Sequence, residues 1–136
     1  MKIQSKENKI EKEDKYIFDF LSDFTNFSLL LPDKVENWKA TKDRCSFDVK
    51  GVSSFGMKIS ETMPHSSIII VNDEEVKMPA KFVFSWNIEK QNDNSSKVYC
   101  SFDLDINPIV SSMIKKPLND FVNILVDKLK EKMEKD

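Results

Sequence analysis

A chain of 136 residues with 40% apolar side chains, 10 Phe and 2 Trp can build one sizeable core and has no room for another, so residues 1–136 read as one domain. Charged residues make up 32% and almost cancel, to a formal charge of −2, which excludes the strong positive field that gathers nucleic acid or anionic lipid. Cys45, Cys100 and the one histidine, His65, are too few for a Cys/His metal cluster, and Gly51 and Gly56 make no phosphate-cradling loop. No metal and no cofactor are therefore expected.

The first residues carry no apolar signal core, and no apolar run approaches the ~20 residues of a membrane-spanning helix. The expectation is a cytoplasmic protein without stable membrane insertion. Its two cysteines lie in apolar alternating segments, as buried reduced thiols do.

In chain order, residues 2–10 alternate weakly around Ile3 and Ile10 and suggest a polar-faced edge strand. The period then changes. Ile17, Phe18, Leu21 and Phe24 recur at helical spacing, predicting a helix over 13–24 whose N-cap is poor but whose first turn carries Glu13 and Asp14. A second short helix or turn is expected over 26–31, stopped by Pro32.

Period two follows. Trp38 and Ala40 open the series, Cys45, Phe47 and Val49 share one face, and Gly51 marks a turn. Phe55, Met57, Ile59 and Glu61 fall on one side of the next strand, which ends at Met63 and Pro64. Strands over 67–71 and 81–89 come next, the latter with Phe82, Phe84, Trp86 and Ile88 in phase. A hairpin loop over 90–96 leads to the clearest strand, where Val98, Cys100, Phe102, Leu104 and Ile106 oppose Ser101, Asp103 and Asp105.

Without helical segments between these strands, antiparallel hairpins explain the pattern better than crossovers. One sheet face must then be covered by the last segment. There Asn107 can cap, Pro108 suits the first helical position, and Ile114, Leu118, Phe121, Leu125, Leu129 and Met133 form one apolar stripe. Pro117 is expected to kink this helix, and the alternating charges at its end read as a solvated face.

The stretches FDFLSDFTNF at 18–27, LPDKVENWKAT at 31–41, SFGMKISE at 54–61 and DINPIVSSMIKKPLNDFVNIL at 105–125 carry a resemblance that covers the chain. It resembles the START-like, or SRPBCC, superfamily, which includes the birch pollen allergen family and the polyketide cyclase/dehydratase group; short bacterial members of Bacteroidetes type look most similar. The resemblance implies an α+β helix-grip fold: a curved seven-stranded antiparallel sheet around a long C-terminal helix, with two short helices between strands one and two. It also implies a cavity that in many members holds a lipid, sterol or polyketide.

On the strand parities, Phe47, Met57, Ile59, Ile70, Phe84, Trp86, Phe102 and Leu104 are the expected concave face, opposite Met113, Leu118, Phe121 and Leu125 of the helix. A cavity so lined prefers a small hydrophobic molecule. The same side chains also serve simply as core. Glu61, in phase with an apolar face, and His65, whose ordinary pKa is near neutral, are the weak candidates for an acid or base in a cyclase-like enzyme. Each also has an ordinary reading, Glu61 at a solvated strand end and His65 in an exposed turn, and no nucleophile with an orienting acid is visible. A third possibility is an interaction module with a filled core. Asp103 and Asp105 read as outward solubilising acids.

Overall fold

The computed structural model describes residues 1–51, 53–76 and 81–135. Its N-terminal segment pairs twice with the last strand. β1 (Lys2–Gln4) and β2 (Asn8–Ile10) both run antiparallel to β8 (Ser95–Asp105). Between them Ser5, Lys6 and Glu7 stand opposite only Tyr99 and Cys100. The extra residue breaks what the sequence suggested as one strand into two, and the sheet has eight strands instead of seven. Ser5 makes the break tolerable. Its amide donates to the Cys100 carbonyl (2.8 Å), and its hydroxyl accepts from the Cys100 amide (2.9 Å).

α1 (Asp14–Leu21) ends three residues before the expected limit. The Ser22 amide and hydroxyl both donate to the Phe18 carbonyl, at 2.9 and 2.7 Å, and close the helix there. Asp23 then opens a 3₁₀ helix, Phe24–Leu29, by accepting from the Thr25 amide at 2.9 Å. Phe24 thus begins the second helical element and does not end the first. Its burial with Phe27 anchors that element under the sheet.

β3 (Val35–Ala40), β4 (Arg44–Val49), β5 (Ser53–Met63), β6 (Ser67–Asn72) and β7 (Lys81–Asn92) complete an antiparallel sheet of order β1-β8-β7-β6-β5-β4-β3. The β7–β8 ladder is longer than the periodicity indicated. It reaches Asn92 and Ser95, and the Asn92 side chain accepts from the Asn94 amide (2.9 Å), leaving Asp93 and Asn94 to turn. Ile106, expected in phase at the end of this strand, lies beyond Asp105.

α2 (Pro108–Lys135) lies across the concave face and packs chiefly on β1, β2 and β8. Asn107 caps it, its side chain accepting from the Val110 amide at 2.9 Å. The helix continues through Pro117, whose missing N–H deprives the Met113 carbonyl of its usual donor. Its buried face is Leu118, Val122, Leu125, Val126, Leu129 and Met133, so Val122 and Val126 widen the stripe read from the sequence, and Ile114 and Phe121 pack half-buried against the core. Polar ties secure the N-terminal strands to it: the Lys6 amide donates to Asn123 Oδ1 (2.8 Å), and Asn8 Nδ2 donates to the Val126 carbonyl (3.1 Å).

On the outer face, Gly56 is required by a close approach. The chain after β6 returns over β5, with the Asp73 amide donating to the Gly56 carbonyl (2.8 Å) and Arg44 holding Glu75 at 2.8 Å. A Cβ on Gly56 would sit 2.4 Å from Val76 Cγ2. Gly56→Ala is therefore expected to destabilise the protein by about 1–3 kcal/mol in denaturant unfolding, the usual scale of overpacking. Adding Val76→Ala should recover only part of that loss, because the Val76 Cβ that alanine keeps lies 2.6 Å from the added methyl; a single variant as stable as the wild type would contradict the packing.

Candidate functional site

Strand alternation sends Trp86 and the phenylalanines of β4, β5, β7 and β8 to one face, where their rings meet in sequence. Trp38 contacts Phe47 at 5.5 Å between centroids, Phe47 stacks on Phe55 at 5.5 Å, and Phe55 meets Phe82 at 6.2 Å. Phe82 stacks on Phe102 at 4.9 Å, and Phe84 stands edge-on to both Phe102 and Trp86. Trp38 joins this row through a bulge: Asn37 and Trp38 together oppose Phe47, and Asn37 takes a positive φ of 56°. Asp48 steadies the bulge from outside. Ser54 donates to it at 2.6 Å and Asn37 at 2.7 Å, and these bonds hold its carboxyl below the ordinary range.

A cleft of about 550 Å³ opens between this row and α2. Phe47, Phe55 and Phe102 form its sheet wall, and Pro117, Leu118, Phe121 and Ile124 its helix wall. Polar groups gather at the rim, where Asp33, Lys34, Lys50 and Asp120 lie. Two of them are engaged: Lys50 pairs with Glu36 at 3.0 Å, and Lys116 pairs with Asp120 at 3.4 Å. A second, apolar void of about 20 Å³ lies deeper, among Phe27, Trp38, Met57, Phe84, Phe121 and Leu125. It is the size of one water and lacks the polar partners a water needs.

The expected concave residues divide three ways. Phe47, Phe102, Leu118 and Phe121 line the cleft, while Met57, Phe84 and Leu125 reach only the small void. Ile70, Trp86 and Leu104 are buried in the sheet-helix core and Ile59 is half-buried against it, and none of these four lines either space. Met113 departs from expectation: it is 74% exposed and does not face the sheet. It sits in the turns of α2 that precede Pro117, where the helix has run past the strands it packs on.

Trp86 is fully enclosed, yet its Nε1 has no hydrogen-bond partner among the described residues, contrary to the rule that a buried indole donor is satisfied. The residues missed by the sequence reading include Phe55 and Ile124. Phe55 shares the parity of Met57 and could have been taken with it; Ile124 lies off the core stripe and gave no such signal.

Neither candidate acid or base reaches the cleft. β5 and β6 lose register between Ile59 and Glu61, so Ile59 opposes inward Ile70 while Glu61 opposes outward Ile69. The bulge reverses the parity on which the expectation for Glu61 rested, and the side chain is exposed. His65 occupies the β5–β6 turn with φ at 70°, half-buried and edge-on to Phe18 at 5.6 Å. No group of three or more His, Cys, Asp or Glu placed to hold a metal occurs among the described residues. Cys45 and Cys100 are free and buried, and burial pushes both thiols up to about 12.

No family model matches the chain, and no curated protein sequence matches it. Solved structures do. A START superfamily protein from Mycobacterium smegmatis superposes with a TM-score of 0.76 at 16% identity, over 98% of this chain and 97% of that one. Norcoclaurine synthase from Thalictrum, a point mutant in complex with a transition-state analogue, gives 0.74 at 10% identity over 99% and 94%. A protein from Thermus thermophilus gives 0.74 at 13% identity over 98% and 97%. The fold is thus START-like, an α+β helix grip. No helix among the described residues is long and apolar enough to cross a membrane.

Two outcomes follow from this geometry. Leu125→Ala should cost about 2–5 kcal/mol in denaturant unfolding, since it empties packed core, and half-buried Phe121→Ala should cost less despite removing a larger side chain. Equal losses would place the cleft elsewhere. The thiols titrate from 9.0 toward about 12 on folding, so their contribution to stability is complete below pH 9 and fades as pH rises toward 12. Unfolding curves of Cys45→Ser and Cys100→Ser should each lose one thiol's share of that alkaline decline, and the double variant should lose both.

Proposed function

We propose that the protein binds a small hydrophobic molecule, lipid or polyketide-like, between β4, β5, β8 and α2, without covalent catalysis. The observation that carries this reading is the cleft of about 550 Å³ walled by Phe47, Phe55, Phe102, Leu118 and Phe121. Its size falls within the ~300–1,000 Å³ of small-molecule sites, and its chemistry is that of such sites: apolar walls with a few polar groups at the entrance. The solved norcoclaurine synthase supports the binding part of this reading by analogy, since a similar fold there holds a transition-state analogue.

The cyclase-like alternative has little to work with. Glu61 and His65 lie away from the cleft, and its lining acids, Asp33 and Asp120, are exposed at the rim. General acid or base catalysis needs a group within hydrogen-bond reach of the reacting atom. A wall of phenylalanines supplies desolvation and shape and no proton.

Native mass spectrometry of the purified protein should reveal a co-purified apolar molecule, and a long-chain fatty acid or flat polyketide should raise the melting temperature. At a hundred times its dissociation constant such a ligand adds about 2.7 kcal/mol. Val49→Trp, which fills the rim from a half-buried position, should reduce that shift while leaving the unliganded melting temperature near the wild-type value. If a broad apolar panel leaves melting unchanged and nothing co-purifies, the binding reading fails.

A further inference from the structure

α2 carries a second apolar row besides the one buried in the core. At 100° per residue, Ile109, Asp120, Met113, Ile124, Pro117, Val110 and Phe121 fall within an arc of about 120° on one side of the helix. Pro117, Asp120, Phe121 and Ile124 wall the cleft. The row then runs on past the cleft into solvent: Ile109 is 76% exposed, Met113 74% and Val110 40%. Its length from residue 109 to residue 124 is about 22 Å. Three large apolar side chains at one helix end, continuous with an open apolar cleft, form a patch of the kind that marks an interaction site.

We infer that this face pairs with the same face of a second copy of the chain, α2 against α2 in antiparallel sense about a two-fold near Pro117. The row is self-complementary. Its first half, Ile109, Val110 and Met113, projects from the surface, and its second half, Pro117, Phe121 and Ile124, borders a hollow. An antiparallel two-fold lays the projecting half of each copy over the hollow half of the other, so both are filled by one operation, as an isologous interface requires. The charges agree. Lys116 and Asp120 occupy the same flank of the row and already attract each other within one helix at 3.4 Å. Antiparallel helices bring like flanks together, which sets Lys116 of each copy beside Asp120 of the other.

The inference does not depend on a ligand: it uses only the shape and charge of the face. The two meet at one point, because a pair formed this way covers the cleft mouth and so competes with any ligand that protrudes from it.

Sedimentation velocity of the full chain over a wide concentration range tests it. The wild type should shift from monomer to dimer as concentration rises. Met113→Asp and Ile109→Asp should remain monomeric with unchanged melting temperatures, because these side chains are exposed in the monomer. A charge exchange adds a check on register that does not depend on the apolar variants folding. Lys116→Glu and Asp120→Lys should each weaken self-association, and an equimolar mixture of the two should dimerise again. A wild type that stays monomeric at every concentration overturns the proposal, as does a dimer that persists in Met113→Asp or a charge-exchanged mixture that fails to pair. Monomeric protein that instead binds neutral phosphatidylcholine vesicles through Ile109 and Met113 would assign the face to a lipid surface.

Discussion

Burial of one face of the β7–β8 ladder is the constraint from which the rest of the structure follows. Phe82, Phe84, Trp86 and Ile88 on one strand and Val98, Cys100, Phe102 and Leu104 on the next present a continuous apolar surface, and all eight side chains are buried. That surface must be covered, and α2 covers it with Leu118, Val122, Leu125, Val126, Leu129 and Met133. The N-terminal strands then pair with the free edge of β8, which removes an exposed ladder and supplies Asn8 and Lys6 as ties to the helix.

The cleft is a consequence of this asymmetry. α2 packs chiefly on β1, β2 and β8, at one side of the sheet, whereas β3, β4 and β5 at the other side touch it little. Aromatic side chains on the far strands, Phe47 and Phe55, therefore stack on each other without a helical side chain pressed against them. A sheet twists in one sense and a helix is straight, so contact is close along one diagonal and opens beyond it. The space lies where α2 has already passed the strands that hold it, which is also why Ile109 and Met113 emerge into solvent.

Bulges adjust what faces the interior. At β3 the extra residue brings Trp38 beside Phe47 and Phe27, extending the aromatic row to the 3₁₀ helix. At β5 another turns Glu61 outward and removes a carboxylate from the apolar face. Both act by the same physics, since one residue added to a period of two exchanges inside for outside. In the first case the exchange fills the interior, and in the second it keeps a charge in water.

The hydrophobic periods alone determined the antiparallel hairpins, the long capped C-terminal helix and most of the buried face, because each of these depends on side chains a few residues apart. Asn107 and Pro108 marked the start of α2, and the alternation from Val98 to Leu104 marked β8 with its inward set. Tertiary structure decided the rest. The division of the first strand rests on Ser5 meeting Cys100, across ninety-five positions of sequence. The direction of Glu61 rests on register against β6, and the separation of cleft from core rests on where α2 crosses the sheet. Aromatic residues at period two look the same in sequence whether they touch a helix or stand clear of it. Only the crossing point, fixed by contacts summed over the whole molecule, assigned Phe84 to the packed interior and Phe47 to the cleft wall.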